Sequence, residues 1–192
     1  MKRVIAFLIA SAWMIAPAWA DFDTGVVRFE QGDWEGAIRE LTPVAERGDP
    51  RAQHMLGAIL LTSARSDANI GEAAVWMKKA ANLGHVEAQV ELARLYRIGL
   101  GVPQDPGKMV KWYEVAAGQG HVGAQLLVAD AYAFGQGVQQ NFVQAYVWYQ
   151  IARTYWGDLA KNAHDMVASQ MTPAQISKAK NLVSARLKDA AK

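Results

Sequence analysis

From Trp34 onward, apolar residues recur at intervals of three and four. Ala37, Ile38, Leu41, Val44 and Ala45 fall on one face of a helix over about 34–47, with Pro43 as a kink or local break. Before it, Phe22 to Gln31 reads as a short helix, ended by Gly32-Asp33. The same periodicity predicts helices over 50–62, 86–98 and 122–134, each followed by a partner over 70–82, 106–118 and 142–154. Ala88, Leu92 and Tyr96, at i, i+4 and i+8, make a narrow packing stripe with a small residue where helices approach. Gly48-Asp49-Pro50, Gly84-His85 and Gly120-His121 punctuate the chain as helix stop and new start. Asn69, Asp105 and Asn141 stand in register as N-caps of the second helix of each pair. Asp158 to Ser169 can form a further helix. Thr172-Pro173 then opens a last amphipathic one through Ile176, Ala179, Leu182, Val183, Arg186 and Leu187. No segment alternates with the period of a strand, so the fold class is all-α.

The helices come in copies. His85-Val86, Ala88-Gln89, Ala93, Tyr96, Gly99, Gly101-Val102, Gln104, Trp112-Tyr113 and Ala116 recur as His121-Val122, Ala124-Gln125, Ala129, Tyr132, Gly135, Gly137-Val138, Gln140, Trp148-Tyr149 and Ala152. A more worn copy upstream keeps Ala52-Gln53, Leu56, Trp76, Ala80-Ala81 and Gly84. Self-similarity at such a period marks a solenoid, in which each unit buries its apolar face only against its neighbours. The chain divides into a leader (1–20), a degenerate pair (21–48), repeats over 49–84, 85–120 and 121–156, and capping helices over 157–192. Trp76, Trp112 and Trp148 share one register position, as do Tyr96 and Tyr132. The tryptophans are expected to bury against the following repeat. Gly99-x-Gly101-Val and Gly135-x-Gly137-Val allow a tight reversal at positive φ, with the valine turned back between helices. Ser63 and Arg65 occupy those glycine positions in the first repeat, where another loop conformation is expected.

This frame, Ala-Gln-x-x-Leu-x-x-x-Tyr-x-x-Gly-x-Gly-Val-x-x-Asp/Asn followed by Trp-Tyr-x-x-Ala and a closing Gly, resembles the Sel-like repeat. That family is an α/α relative of the tetratricopeptide repeat. The likeness covers about 33–156 and is strongest over 85–152. The Met-Thr-Pro-Ala-Gln stretch opening the last helix is similar to the end of many bacterial members. The resemblance implies a right-handed superhelical solenoid of antiparallel helix pairs whose first helices line a concave surface. It implies scaffold or adaptor work on protein partners, in signalling, in the envelope or at a host surface.

Composition narrows the chemistry. Cysteine is absent, which removes disulfides, thiolate metal sites and thiol nucleophiles. Lys2-Arg3, an apolar run from Val4 to Ile15, and Ala18-Trp19-Ala20 predict a secretory leader cleaved before Asp21. That would place the mature protein in the periplasm or outside the cell, with no membrane span after cleavage. Without Lys2 and Arg3, 18 basic residues balance 18 acidic ones, which gives nucleic acid nothing to bind. Residues 21–50 hold eight acids and three bases, and 161–192 six bases and two acids. The uneven charge reads as solvated end caps, or as an end-to-end preference between copies.

No enzyme, metal site or cofactor is expected. Ser177-Lys178-Ala179-Lys180 matches the Ser-x-x-Lys of penicillin-recognising enzymes, but no Lys-Thr-Gly or Ser-Asp-Asn accompanies it. A β-lactam- or peptidoglycan-directed hydrolase or binding protein is therefore the alternative reading. His54, His85, His121 and His164 lack metal-ligand spacing; His85 and His121, at equivalent corners, read as loop or cap residues. Gln53, Gln89 and Gln125 recur near the start of the first helix of each pair. Either they form a ladder of hydrogen bonds between repeats, or, with Arg94, Arg97 and Asp130, they point into the groove and read a peptide backbone.

Overall fold

The computed structural model describes residues 21–63 and 67–190. The expected leader and Arg65 lie outside the described residues. Among these residues are nine helices: α1 (Phe22–Glu30), α2 (Trp34–Glu46), α3 (Pro50–Thr62), α4 (Asp67–Asn82), α5 (Val86–Ile98), α6 (Pro106–Gly118), α7 (Val122–Phe134), α8 (Phe142–Ser169) and α9 (Pro173–Ala190). Each packs on its chain neighbours, α1 on α2 through to α8 on α9. The result is an all-α solenoid of helix pairs without strands among the described residues.

Local chemistry sets the corners between pairs. Gly48, Gly84 and Gly120 take φ of 95°, 90° and 91°. In each case the next residue's N–H reaches back to the last turn, from Asp49 to Val44 O, His85 to Ala80 O and His121 to Ala116 O. These bonds tie the new corner back onto carbonyls of the last helical turn. The next helix is capped at once. Asp49 accepts from the N–H groups of Arg51 and Ala52, and the imidazole Nδ1 of His85 and His121 accepts from those of Ala88 and Ala124.

The loops inside the second and third repeats use both glycines. Gly99 and Gly135 close α5 and α7 in the left-handed region. Gly101 and Gly137, at φ of 70° and 74°, come close to the preceding repeat: a Cβ on Gly101 would lie 2.5 Å from the Ile70 carbonyl oxygen, and one on Gly137 would strike the Pro106 carbonyl. The first repeat departs here. Ser63 ends α3 at φ −89° and turns its hydroxyl back to Ile59 O at 2.7 Å.

Several expectations need correction. α4 begins at Asp67, so Asn69 lies inside its first turn rather than at the cap, while Asp105 and Asn141 do cap α6 and α8. Helix α2 runs on through Pro43, so the proline makes no local break. The helices expected over about 142–154 and 158–169 both form and run on into each other, joined at Gly157, whose φ of 49° and ψ of −124° redirect the chain. Thr172 and Gln175 form the reciprocal cap of α9, at 2.8 and 3.3 Å.

The three tryptophans do not share one environment. Trp148 is buried under Arg186 of α9, whose guanidinium carbon lies 4.0 Å from the ring centroid. Trp76 joins a cluster with Ala37, Leu41, Leu56 and Ile59 of α2 and α3, under the Lys79 ammonium at 3.8 Å. Trp112 is only half-buried against the larger core that runs from α4 to α9. A ring's cover depends on which side chains the adjoining helices bring, and those differ between repeats.

The helix-A face and the joints that hold it

The first helices of the three repeats, α3, α5 and α7, present register-related half-exposed residues on one face. Ala58, Arg94 and Asp130 form one row; His54, Val90 and Leu126 form another. Arg94 donates from Nε and Nη2 to Glu91 Oε2, both at 2.8 Å, one turn back on its own helix. Asp130 Oδ1 accepts the Tyr149 hydroxyl of α8 at 2.5 Å. Burial, and that bond to a carboxylate, push the Tyr149 phenol above its ordinary value. Tyr113, one repeat earlier, is raised by burial and lies within electrostatic reach of Arg97, Glu91 and Arg94. Arg97 is exposed in the last turn of α5 and has no ion-pair partner among the described residues. Arg97 thus adds an unneutralised cation in the last turn of α5, beside an internal ion pair and a carboxylate with an oxygen to spare.

The three glutamines belong elsewhere. Gln53, Gln89 and Gln125 are buried, at 4%, 1% and 6% exposure. Each side-chain amide donates to a carbonyl at the end of the preceding helix: Ala45 O at 2.9 Å, Ala81 O at 3.2 Å and Ala117 O at 3.4 Å. They are the hydrogen-bond ladder between repeats, and their nitrogens are not turned to the open face. A buried amide carbonyl also needs a donor. Gln89 Oε1 has one, the Gln119 carboxamide at 2.7 Å, while the Oε1 atoms of Gln53 and Gln125 have none. The signal for this was in the sequence: Gln119 stands where the other copies have Leu83 and Tyr155.

Tyr132 donates to Glu114 Oε1 at 2.6 Å, and burial with that carboxylate pushes its phenol up to about 12. Tyr96, at the same register, is buried beneath Lys108, 5.3 Å from its centroid. Both tyrosines are packing residues. Ser177 and Lys180 are exposed on α9 and no hydrogen bond joins them. Among the described residues no cluster of His, Asp and Glu has the geometry of a metal site, and no helix is long and apolar enough to cross a membrane.

One joint depends on pH. His54 of α3 stacks on His85, ring centroids 4.5 Å apart and planes 22° off parallel. Burial, then the neighbouring His85, hold His54 below the usual imidazole value, against a smaller opposing pull from Glu87 and Glu91. A depressed histidine binds fewer protons folded than unfolded. Its contribution is present above the unfolded value, about 6.5, and is lost as pH falls from there toward the folded value. Thermal melts should show stability declining from pH 7 to 5, and His54→Val, which copies Val90, should flatten that slope. An unchanged slope in the variant would place the titration elsewhere.

A family model for the Sel1 repeat matches residues 50–85, 86–121 and 122–153, more than half of the chain. The chain therefore belongs to the Sel1 repeat family. Proteins of this family generally mediate protein–protein interaction and are typically non-enzymatic. Among solved structures it is similar to a protective antigen of uropathogenic Escherichia coli with the same repeat fold, at 32% identity and TM-score 0.68 over 80% of this chain and 33% of that one. It is also similar to a Sel1 repeat protein from Oxalobacter formigenes, at 27% identity and TM-score 0.68 over 76% of this chain and 60% of that one. Cysteine-rich protein B of Helicobacter pylori shares the fold, at 20% identity and TM-score 0.52 over 68% of this chain and 93% of that one. The chain thus spans a third and three-fifths of the lengths of the first two. No curated protein matches it.

Proposed function

We propose that this chain is an exported, non-catalytic scaffold whose helix-A face holds an extended segment of another protein in the bacterial envelope. The observation that carries this reading is the group of charges on α5 and α7: exposed Arg97, the Arg94–Glu91 pair and Tyr149-braced Asp130. Rigid helices present Arg94 and Asp130 one repeat apart, while the glutamines between repeats stay inside. Charges pre-positioned in this way select a complementary chain at low ordering cost. The positive start and apolar run of residues 1–20 support export. Signalling, envelope regulation and contact with a host protein all use such a face.

Arg97 is the cleanest probe, because reversing Arg94 or Asp130 also breaks a bond within the fold. In a crosslinked envelope preparation Arg97→Glu should weaken capture of the partner by tenfold or more, about 1.4 kcal/mol, with an unchanged melting temperature. Undiminished capture would remove the face from the proposal.

A further inference from the structure

Each end of the solenoid is a helix face without a neighbour. α1 packs on α2 through Gly25, close against Leu41, and leaves its far side to solvent. That far side is the stripe of Asp23, Val27 and Glu30, at i, i+4 and i+7, with Val27 50% exposed. α9 turns Ile176, Ala179 and Val183 into the core it shares with α8. Its far side carries Lys178, Asn181, Ala185 and Lys188, all exposed, with exposed Leu182 at the edge. In a solenoid each unit covers the face of the next, so an uncovered end is where a further unit would add.

The two ends are opposite in charge. Residues 21–50 hold eight acids against three bases, a net of −5, and residues 161–192 six bases against two acids, a net of +4. The stretch between, 51–160, holds eight acids and nine bases, so the imbalance belongs to the ends. The charges on the two far sides are not spent inside the fold. Arg28 of α1 is tied to Asp33, and Arg186 of α9 lies on Trp148. The side chains of Asp23, Glu30, Lys178 and Lys188 make no hydrogen bond or ion pair among the described residues; Asp23 reaches Arg51 only through space.

We propose that the partner of each end is the opposite end of a second copy of this chain, α9 of one copy seating against α1 of the next. Like ends repel, so the attractive contact of ends is head to tail. That contact keeps the helix order of the fold. α9 is the second helix of its hairpin and α1 the first of its own, as where α2 packs on α3, α4 on α5 and α6 on α7. With the two helices antiparallel, Lys188 comes to Asp23 and Lys178 to Glu30. The lysines stand about 15 Å apart along α9 and the acids about 10 Å apart along α1, a mismatch that two flexible lysine stems span. The contact is heterologous and leaves a free head and a free tail on every assembly, so growth continues past the dimer. It does not include Arg97, and it is independent of what the helix-A face holds.

Sedimentation velocity of the purified chain over a concentration series tests this. In about 0.1 M salt the mean mass should rise with concentration past twice that of the chain. Salt at about 1 M, which cuts the screening length from about 10 Å to about 3 Å, should weaken the association tenfold or more. The Asp23→Lys, Glu30→Lys chain and the Lys178→Glu, Lys188→Glu chain should each stay monomeric. Mixed in equal amounts they should assemble as the parent does, because each reversed end meets an opposite charge on the other chain. Should a reversed chain fail to fold by circular dichroism, Glu30→Gln and Lys178→Gln take its place, each expected to weaken association about twofold to fivefold. Arg97→Glu should assemble like the parent, so failure of this junction and failure of the helix-A face are read separately. The proposal is overturned if the parent stays monomeric in the lower salt, if its mass stops at the dimer, if the association ignores salt, or if the mixed, folded variants stay monomeric. A monomeric parent that sediments with vesicles containing phosphatidylserine would give the basic end to an anionic surface and overturn it as well.

Discussion

Gly137→Ala should destabilise the protein by about 3 kcal/mol, while Gly32→Ala costs about 1 kcal/mol. Both glycines have positive φ, 74° and 76°, so both substitutions carry the left-handed penalty of about 1–2 kcal/mol. They differ in what the new methyl meets. At Gly32 nothing lies within 4 Å. At Gly137 the Pro106 backbone carbonyl is in the way, at the first turn of the preceding repeat's second helix. A carbonyl tied into a helix cannot swing aside like the tip of a side chain, so the two repeats must separate. Gly101→Ala should behave like Gly137→Ala, because its methyl would lie 2.5 Å from the Ile70 carbonyl. For a chain of this size the larger effect is a fall of about 6–12 °C in melting temperature. Equal costs at Gly32 and Gly137 would show that φ alone, and not the approach of repeats, explains the loop glycines.

The second large effect concerns the glutamine ladder. Gln89→Leu should cost about 1–3 kcal/mol, and Gln53→Leu roughly half that or less, by denaturant unfolding. Leucine at 89 loses two hydrogen bonds, one to the Ala81 carbonyl, which keeps the Gly84 N–H, and one from the exposed Gln119 amide. Each such bond contributes about 0.5–1.5 kcal/mol net. Leucine at 53 loses only the bond to the Ala45 carbonyl, which keeps the Gly48 N–H, and it also removes an oxygen that already lacks a donor. Equal losses at the two positions would mean that solvent already satisfies the orphan oxygens.

The electrostatics of the helix-A row were only half legible in the sequence. Arg94, Arg97 and Asp130 could be chosen because they are charged residues on a helix whose apolar stripe was clear. Their partners could not. Glu91 neutralises Arg94 from the same helix, and Tyr149 braces Asp130 from the next. Tyr149 was visible as a repeat residue, but nothing in its spacing says that its hydroxyl reaches a carboxylate nineteen positions earlier. The glutamines show the same limit. Recurrence marked them as important, and recurrence is equally what a binding row and an internal joint produce.

The amino-acid sequence alone determined the helix pairs, their period, the corner caps and the loop glycines. Those features rest on interactions within a few residues: a cap bond to the third residue on, a carbonyl closed by the last turn, a φ that only glycine adopts at no cost. Tertiary structure alone decided which polar groups are spent inside and which remain for a partner. Gln119 meets Gln89 thirty positions away, Arg186 settles on Trp148, and Gln125 is left without a donor, because stacking brings unlike neighbours to like positions. A repeat writes the same residue into each unit, but the residue opposite comes from a different copy, and its chemistry is set only when the copies are packed together.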